Sequence, residues 1–266
     1  MIFTVWINLP TGHPGKIEEA ARLVVGQAKK ACNLVQQGGH KKVVSIGGGL
    51  HHAKSTYGEG FCLYNDVAFC AKYLQREYKM DRIVIIDTDA HVGNGTMDYF
   101  YEDSRVLYID IHQHPRSLYP HTGFPQQIGA GDDIGFTVNI PLPELASDEA
   151  YRLAFESVVE PIIQEFKPQI IIRNGGSDPH YEDGLTDLGL TIDGFTMIAE
   201  KIRRLSGICN GKQIDLITSG YNMDILPPIW IAMIAGLLDV HIAIEEPGKR
   251  RSGIHVDAVI EEKPVR

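Results

Sequence analysis

The sequence predicts an α/β fold, a mostly parallel sheet with helices on both faces, and three observations predict it. Short apolar runs rich in branched side chains recur along the chain, and one of them, Ile83-Val-Ile-Ile86, reads as a strand buried on both faces. Segments with Ala, Leu and Val at helical spacing alternate with these runs, as in βαβ units. Polar stretches carrying Asp, His or Tyr, several of them through glycines, follow one predicted strand after another. With 266 residues and 44% hydrophobic content, the chain has enough apolar material for one large domain over 1–266.

Taken in order, residues 1–15 read as an irregular start, with a strand-like Ile2 to Ile7 broken by Leu9-Pro-Thr-Gly-His-Pro-Gly15. Lys16 to Gln37 has helical spacing and ends at Gly38-Gly39, and Val43 to Ile46 is a short strand. A helix capped by Asn65 or Asp66 runs to Tyr78, and the Ile83 strand leads into a short helix from Thr96 to Glu102. Val106 to Ile111 is the next strand. The stretch from Pro115 to Gly135 has no helical period, and a loop of that length in a compact fold is usually functional. Phe136 to Ile140 is strand-like, Ser147 starts a helix that Pro161 is expected to kink, and Gln169 to Ile172 is a further strand. A helix over Phe195 to Leu205, a strand over Ile214 to Ile217 and a helix over Pro228 to Ile244 complete the pattern. The tail, 245–266, is charged, with a weak strand signal at Ile254 to Ile260.

A net charge of −9 and a pI near 5.6 argue against nucleic-acid or anionic-membrane partners. Cys32, Cys62, Cys70 and Cys209 form no C-x-x-C pair, which predicts reduced thiols and a cytoplasmic location. The first residues carry neither a basic leader nor a membrane-length apolar run, so neither export nor anchoring is expected.

Asp87, Asp89 and His91 stand at i, i+2 and i+4 where the Ile83 strand ends, so alternation along an extended segment brings them to one side. Two carboxylates and an imidazole suit a hard or borderline divalent cation, although helix capping and surface hydrogen bonds are the other reading of such a pattern. The remaining strands decide between them. His51 and His52 follow Gly47-Gly48-Gly49, Asp110 and His112 close the Val106 strand, Asp178 follows the Gln169 strand and Tyr221 the Ile214 strand. All lie at carboxyl ends, the edge where open α/β sheets bind ligands.

Five stretches, Gly48-Gly-Leu-His-His-Ala-Lys54, Gly60-Phe-Cys-Leu-Tyr-Asn-Asp66, Ile86-Asp-Thr-Asp-Ala-His-Val-Gly-Asn-Gly95, Gly175-Gly-Ser-Asp178 and Ser219-Gly-Tyr-Asn222, carry a family resemblance. In order and spacing the chain resembles the zinc-dependent histone deacetylases and their bacterial and archaeal relatives, including the acetoin-utilisation proteins. The resemblance implies an arginase/deacetylase-like three-layer fold and hydrolysis of an acylated amine, such as an acetylated lysine. It implies metal ligands at Asp89, His91 and Asp178, with His51 and His52 as general acid and base oriented by Asp87 and Asn94. Tyr221 would donate to the oxyanion, Gly60, Phe61 and Tyr119 would line the acyl tunnel, and Asp87 with Asp110 would hold a monovalent cation such as K+.

Zinc and ferrous iron both remain open for a donor set of two Asp and one His. The family's usual N-terminal portion is not found in this sequence, so the tunnel rim is expected to be reduced. The Val43 strand is then expected near a sheet edge unless Ile2 to Ile7 or a partner subunit covers it, which leaves homo-oligomerisation open. Before Tyr221 the family's glycine run is reduced to Thr218-Ser219-Gly220. Two rival readings stand beside this one. A binuclear manganese ureohydrolase needs a carboxylate where Gly93 stands, and a non-catalytic acyl-binding or interaction domain would keep the fold without turnover.

Overall fold

The structure is a computed structural model, and it describes residues 14–246. A six-stranded sheet in the order β1-β6-β5-β2-β3-β4 organises the chain, and every neighbouring pair is parallel. Its strands are β1 (Lys42–Ile46), β2 (Ile83–Asp87), β3 (Val106–Gln113), β4 (Thr137–Leu142), β5 (Ile170–Gly176) and β6 (Gln213–Thr218). Helices α1 (Pro14–Gln37), α2 (Asp66–Tyr78) and α3 (Asn94–Phe100) cover one face. Helices α4 (Asp148–Ala154), α5 (Glu160–Phe166), α6 (Ile192–Leu205) and α7 (Leu226–Leu238) cover the other.

The two-residue period of a strand explains why β2 reads as an unbroken apolar run. Ile83 and Ile85 point into a cluster with Ala31, Cys32, Leu74 and Phe100, whereas Val84 and Ile86 point into one with Phe155, Val159, Phe195 and Ile229. Neither face meets water, so every position is apolar until the strand ends at Asp87. Phe195 is 1% exposed in the second cluster. Phe195→Ala is expected to destabilise the fold by about 3–5 kcal/mol, read from the midpoint of urea unfolding.

The strand order also fixes where a ligand can enter. From β2 the chain moves outward through β3 to β4, then returns so that β5 pairs with the opposite side of β2 and β6 lies beyond it. The loops after β2 and β5 therefore leave in opposite directions, which opens a crevice between their carboxyl ends. In register, Asp87 stands opposite Asn174 on one side and Asp110 on the other.

Several boundaries differ from the sequence reading. Asn65 caps α2, its side chain accepting the Ala68 N–H, so the first of the two proposed caps is the one used. α3 begins at Asn94 rather than Thr96. Ser147 occupies the first cap position of α4 but makes no side-chain capping bond. Where a kink is expected at Pro161, the helix widens into a π turn over Phe155–Val159, just before Pro161 in the first turn of α5.

α7 stops at Leu238 and does not reach Ile244, because Asp239 turns left-handed (φ 60) and pairs with Arg203 at 2.7 Å. The strand signals at Ile2 to Ile7 and Ile254 to Ile260 lie outside the described residues. Among the described residues β1 is an edge strand, the four cysteines are free and buried, and no helix is long and apolar enough to cross a membrane.

Candidate metal centre and active site

Asp89 and His91 lie on the loop after β2, and Asp178 lies on the loop after β5, on opposite sides of the crevice. One potential ligand atom from each lies within 4.8 Å of the others. His91 Nδ1 is 2.8 Å from Asp178 Oδ2 and 3.2 Å from Asp89 Oδ1. Local bonds hold the loops in this shape. The Asp87 carboxylate accepts Asp89 N–H, Asp89 accepts His91 N–H at 2.8 Å, and Asp178 accepts Ala90 N–H at 3.0 Å. Gly176 keeps the cradle open, since a Cβ there would stand 2.3 Å from Asp89 Oδ2 and 2.7 Å from Asp178 Oδ1.

The electrostatics of this cluster call for a positive charge. Burial, reinforced by Asp89, lifts the Asp178 pKa to about 7. Burial disfavours the charged form of His91, yet its bonds to Asp178 and Asp89 outweigh burial and raise its pKa to about 10. A proton on His91 thus stands where a cation would neutralise both carboxylates, and a bound divalent ion would displace it. Two carboxylates and one imidazole nitrogen in an open cradle fit zinc or ferrous iron.

Beside this cluster the two histidine rings lie 4.2 Å apart with different partners. His51 Nδ1 is 2.8 Å from Asp87 Oδ2, and Asn174 donates to the other oxygen of Asp87 at 2.9 Å. His52 Nδ1 is 2.8 Å from Asn94 Oδ1, an amide oxygen without formal charge. Burial opposes charge on both rings. In His51 the carboxylates Asp87 and Asp89 overcome it and hold the pKa at about 9. In His52 burial and the neighbouring His51 push the pKa well below the usual imidazole range, and the Asn94 bond offsets this only in part. One ring is built to be charged and its neighbour to be neutral.

The turn carrying these rings is pinned from below. Asp66 accepts the backbone N–H groups of Gly49 and Leu50, and Asn65 donates to the carbonyls of His51 and Ala53. Gly95 lets the start of α3 press onto the same turn, where a Cβ would lie 2.4–2.6 Å from three carbonyl oxygens.

Three aromatic side chains stand beside the histidines. Tyr221 lies 6.4 Å, centroid to centroid, from both His91 and Phe61, and Tyr119 lies 5.2 Å from His52. All three aromatics are exposed, whereas Gly60 sits against the ring of His52. The Tyr221 loop is tied down at Ser219, whose hydroxyl donates to Asp89 Oδ2 at 2.6 Å, and at Asp183, which accepts the Tyr221 N–H at 2.7 Å.

Asp110 lies behind the histidines. Tyr108 and Gly93 N–H donate to one of its oxygens, while His112 Nδ1 stands 2.9 Å from the other. His112 turns its Nε2 to the Gly123 carbonyl, so it anchors the 115–135 loop and does not join the metal cluster. At Gly93 a Cβ would lie 2.4 Å from the Tyr108 hydroxyl, which leaves no room for a further side chain there.

The structure brings Asp87, Asp89, His91, Asn94, Asp178, His51, His52 and Tyr221 to one edge. Sequence reasoning missed Asn174, Glu59, Ser219 and Asp183, and it took Asp66 only as a helix cap. Asn174 was detectable in principle, since it precedes the glycines before Asp178; the others are recognisable only from the loops that fold over the site.

The histone deacetylase domain model matches residues 10–237. A probable deacetylase of Archaeoglobus fulgidus is 38% identical over 248 residues, covering 91% of this chain and 67% of that protein. The acetoin utilization protein AcuC of Staphylococcus aureus is 38% identical over 218 residues, covering 81% of this chain, and this chain spans 56% of its length. The crystal structure of the HDA15 HD domain has a TM-score of 0.75 and 31% identity, covering 82% of this chain and 63% of that one.

Proposed function

The chain belongs to the histone deacetylase family, and from that premise we propose that it is a metal-dependent amidohydrolase that removes an acetyl or other acyl group from an amine. The observation that carries the proposal is the convergence of Asp89, His91 and Asp178 beside two histidines with opposite protonation preferences. Asp89, His91 and Asp178 would hold a divalent cation, which when bound would supply Lewis-acid polarisation of the amide carbonyl and of the attacking water.

The chain's own groups do the rest. Neutral His52 takes the proton of the attacking water, and His51, kept charged by Asp87, donates a proton to the departing amine. The Tyr221 hydroxyl donates to the carbonyl oxygen as it gains negative charge, and Phe61 with Tyr119 walls the acyl entry. Burial, with Asp89 and Asp178 nearby, raises the pKa of Tyr221, so the phenol keeps the proton it must donate. A monovalent cation is assigned to the buried carboxylates Asp87 and Asp110, which share the Tyr108 hydroxyl as donor.

A panel of acylated amines, including acetyl-lysine peptides, free acetylated amines and longer acyl chains, offered to the zinc- or iron-loaded protein tests the proposal. Hydrolysis of at least one is expected, and none hydrolysed with metal bound would leave an acyl-binding domain as the better reading. With a substrate in hand, Tyr221→Phe is expected to lower kcat by about 10² to 10³. KM, melting temperature and metal content should hardly change, because only the hydroxyl is removed. Near-normal kcat in that variant would take Tyr221 out of the mechanism.

A further inference from the structure

We propose that Glu59 is a positioning residue that sets the tautomer of His52 by orienting the Asn94 side chain between them; this rests on His52 acting as the base. The argument starts from the symmetry of an asparagine amide. Its oxygen and nitrogen have nearly the same shape, so an Asn beside a histidine can present an acceptor or a donor. Among the described residues Asn94 has two side-chain partners, His52 Nδ1 at 2.8 Å and Glu59 Oε1 at 2.5 Å. An ionised carboxylate can only accept, so Asn94 must turn its NH2 toward Glu59. That leaves Asn94 Oδ1, also only an acceptor, facing His52. Nδ1 must then carry the hydrogen, and Nε2 keeps the lone pair that a base needs.

The loop is shaped to deliver this carboxylate. Gly60 adopts φ 54 and packs against the His52 ring, where a Cβ would lie 2.3 Å from Cδ2. Cys62 N–H closes the turn on the Glu59 carbonyl at 2.8 Å. Lys54 Nζ stands 3.9 Å from Glu59 Oε1 and 2.9 Å from the Asn94 carbonyl, so the carboxylate is not an isolated charge.

His51 offers the contrast, because Asp87 touches it directly and both orients the ring and favours its charge. Through the neutral amide of Asn94, Glu59 transmits orientation while its charge stays one residue further off. His52 thereby receives a defined tautomer and remains the neutral member of the pair.

The test is 15N NMR of the zinc-loaded protein labelled at histidine, with the His52 signals assigned by their loss in His52→Ala. In the wild type Nδ1 is expected to be protonated and Nε2 bare. In Glu59→Ala the amide is free to turn, and a mixture of tautomers is expected with kcat lower by about ten- to a hundredfold and KM little changed. Glu59→Gln keeps the side chain's size and lets the two amides pair either way round, so a mixture is expected there too.

Adding Asn94→Asp to Glu59→Ala places an oxygen toward His52 whichever way the group turns, and Nδ1 should again be fully protonated. A single Nδ1–H tautomer persisting in Glu59→Ala, or a wild type with Nε2 protonated instead, would overturn the proposal. The NMR readout needs no substrate, so it decides the role of Glu59 even if no acylated amine is hydrolysed.

Discussion

Asp178→Ala is expected to leave a folded protein without its metal and without turnover. Asp178 is the proposed ligand that reaches the cradle from the loop after β5, and its two oxygens face His91 Nδ1 and the Ala90 N–H. Without it, Asp89 and His91 offer one carboxylate and one imidazole from the same loop, a pair that leaves half of a tetrahedral shell to water. Lewis-acid assistance is worth several kcal/mol, so its loss should lower turnover by about a thousandfold or more. Asp178→Asn keeps the shape and an oxygen for Ala90 but removes the charge, which separates loss of metal from loss of fold. Elemental analysis after dialysis, alongside the melting curve, is the measurement. Full metal content with intact turnover in either variant would remove Asp178 from the ligand set.

His52→Ala is expected to behave in the opposite way, with metal retained and turnover lowered by about 10² to 10⁴. The ring bonds Asn94 and packs against Tyr119, and its centroid is 6.0 Å from that of His91, so deleting it takes nothing from the metal cradle. What disappears is the proposed base. His51→Ala should cost turnover on a similar scale, but it also leaves the buried Asp87 without its imidazole partner. Burial already raises the Asp87 pKa to about 6 against the pull of His51, so that variant should lose stability as well as activity. If both variants come out of dialysis without metal, the histidines are ligands and the division of labour between the two rings is wrong.

Much of the fold and the centre of the site are legible in the amino-acid sequence because they are local. A strand buried on both faces must be apolar at every position, so β2 announces itself, and the two-residue period alone carries Asp87, Asp89 and His91 to one end of it. His51, His52, Asp110, Asp178 and Tyr221 each follow a strand, so adjacency in the chain is enough to place them at the carboxyl edge, whereas Gly60, Phe61, Asn94 and Tyr119 are reached only through the family resemblance.

What pairing and loop packing decide is different in kind. Asn174 stands opposite Asp87 only because β5 returns to the free side of β2, a register with no local signature. His112 has the spacing of a ligand, yet in space it turns to Gly123. Glu59 reaches Asn94 only because Gly60 can lie flat on the His52 ring, and α7 ends where Arg203 meets Asp239, contacts that no hydrophobic period encodes. The sequence by itself therefore determined which side chains of a cation-holding or proton-moving type stand at the strand ends. Only the tertiary structure decided which partner each of them faces, because the direction of a side chain depends on neighbours far away in the chain.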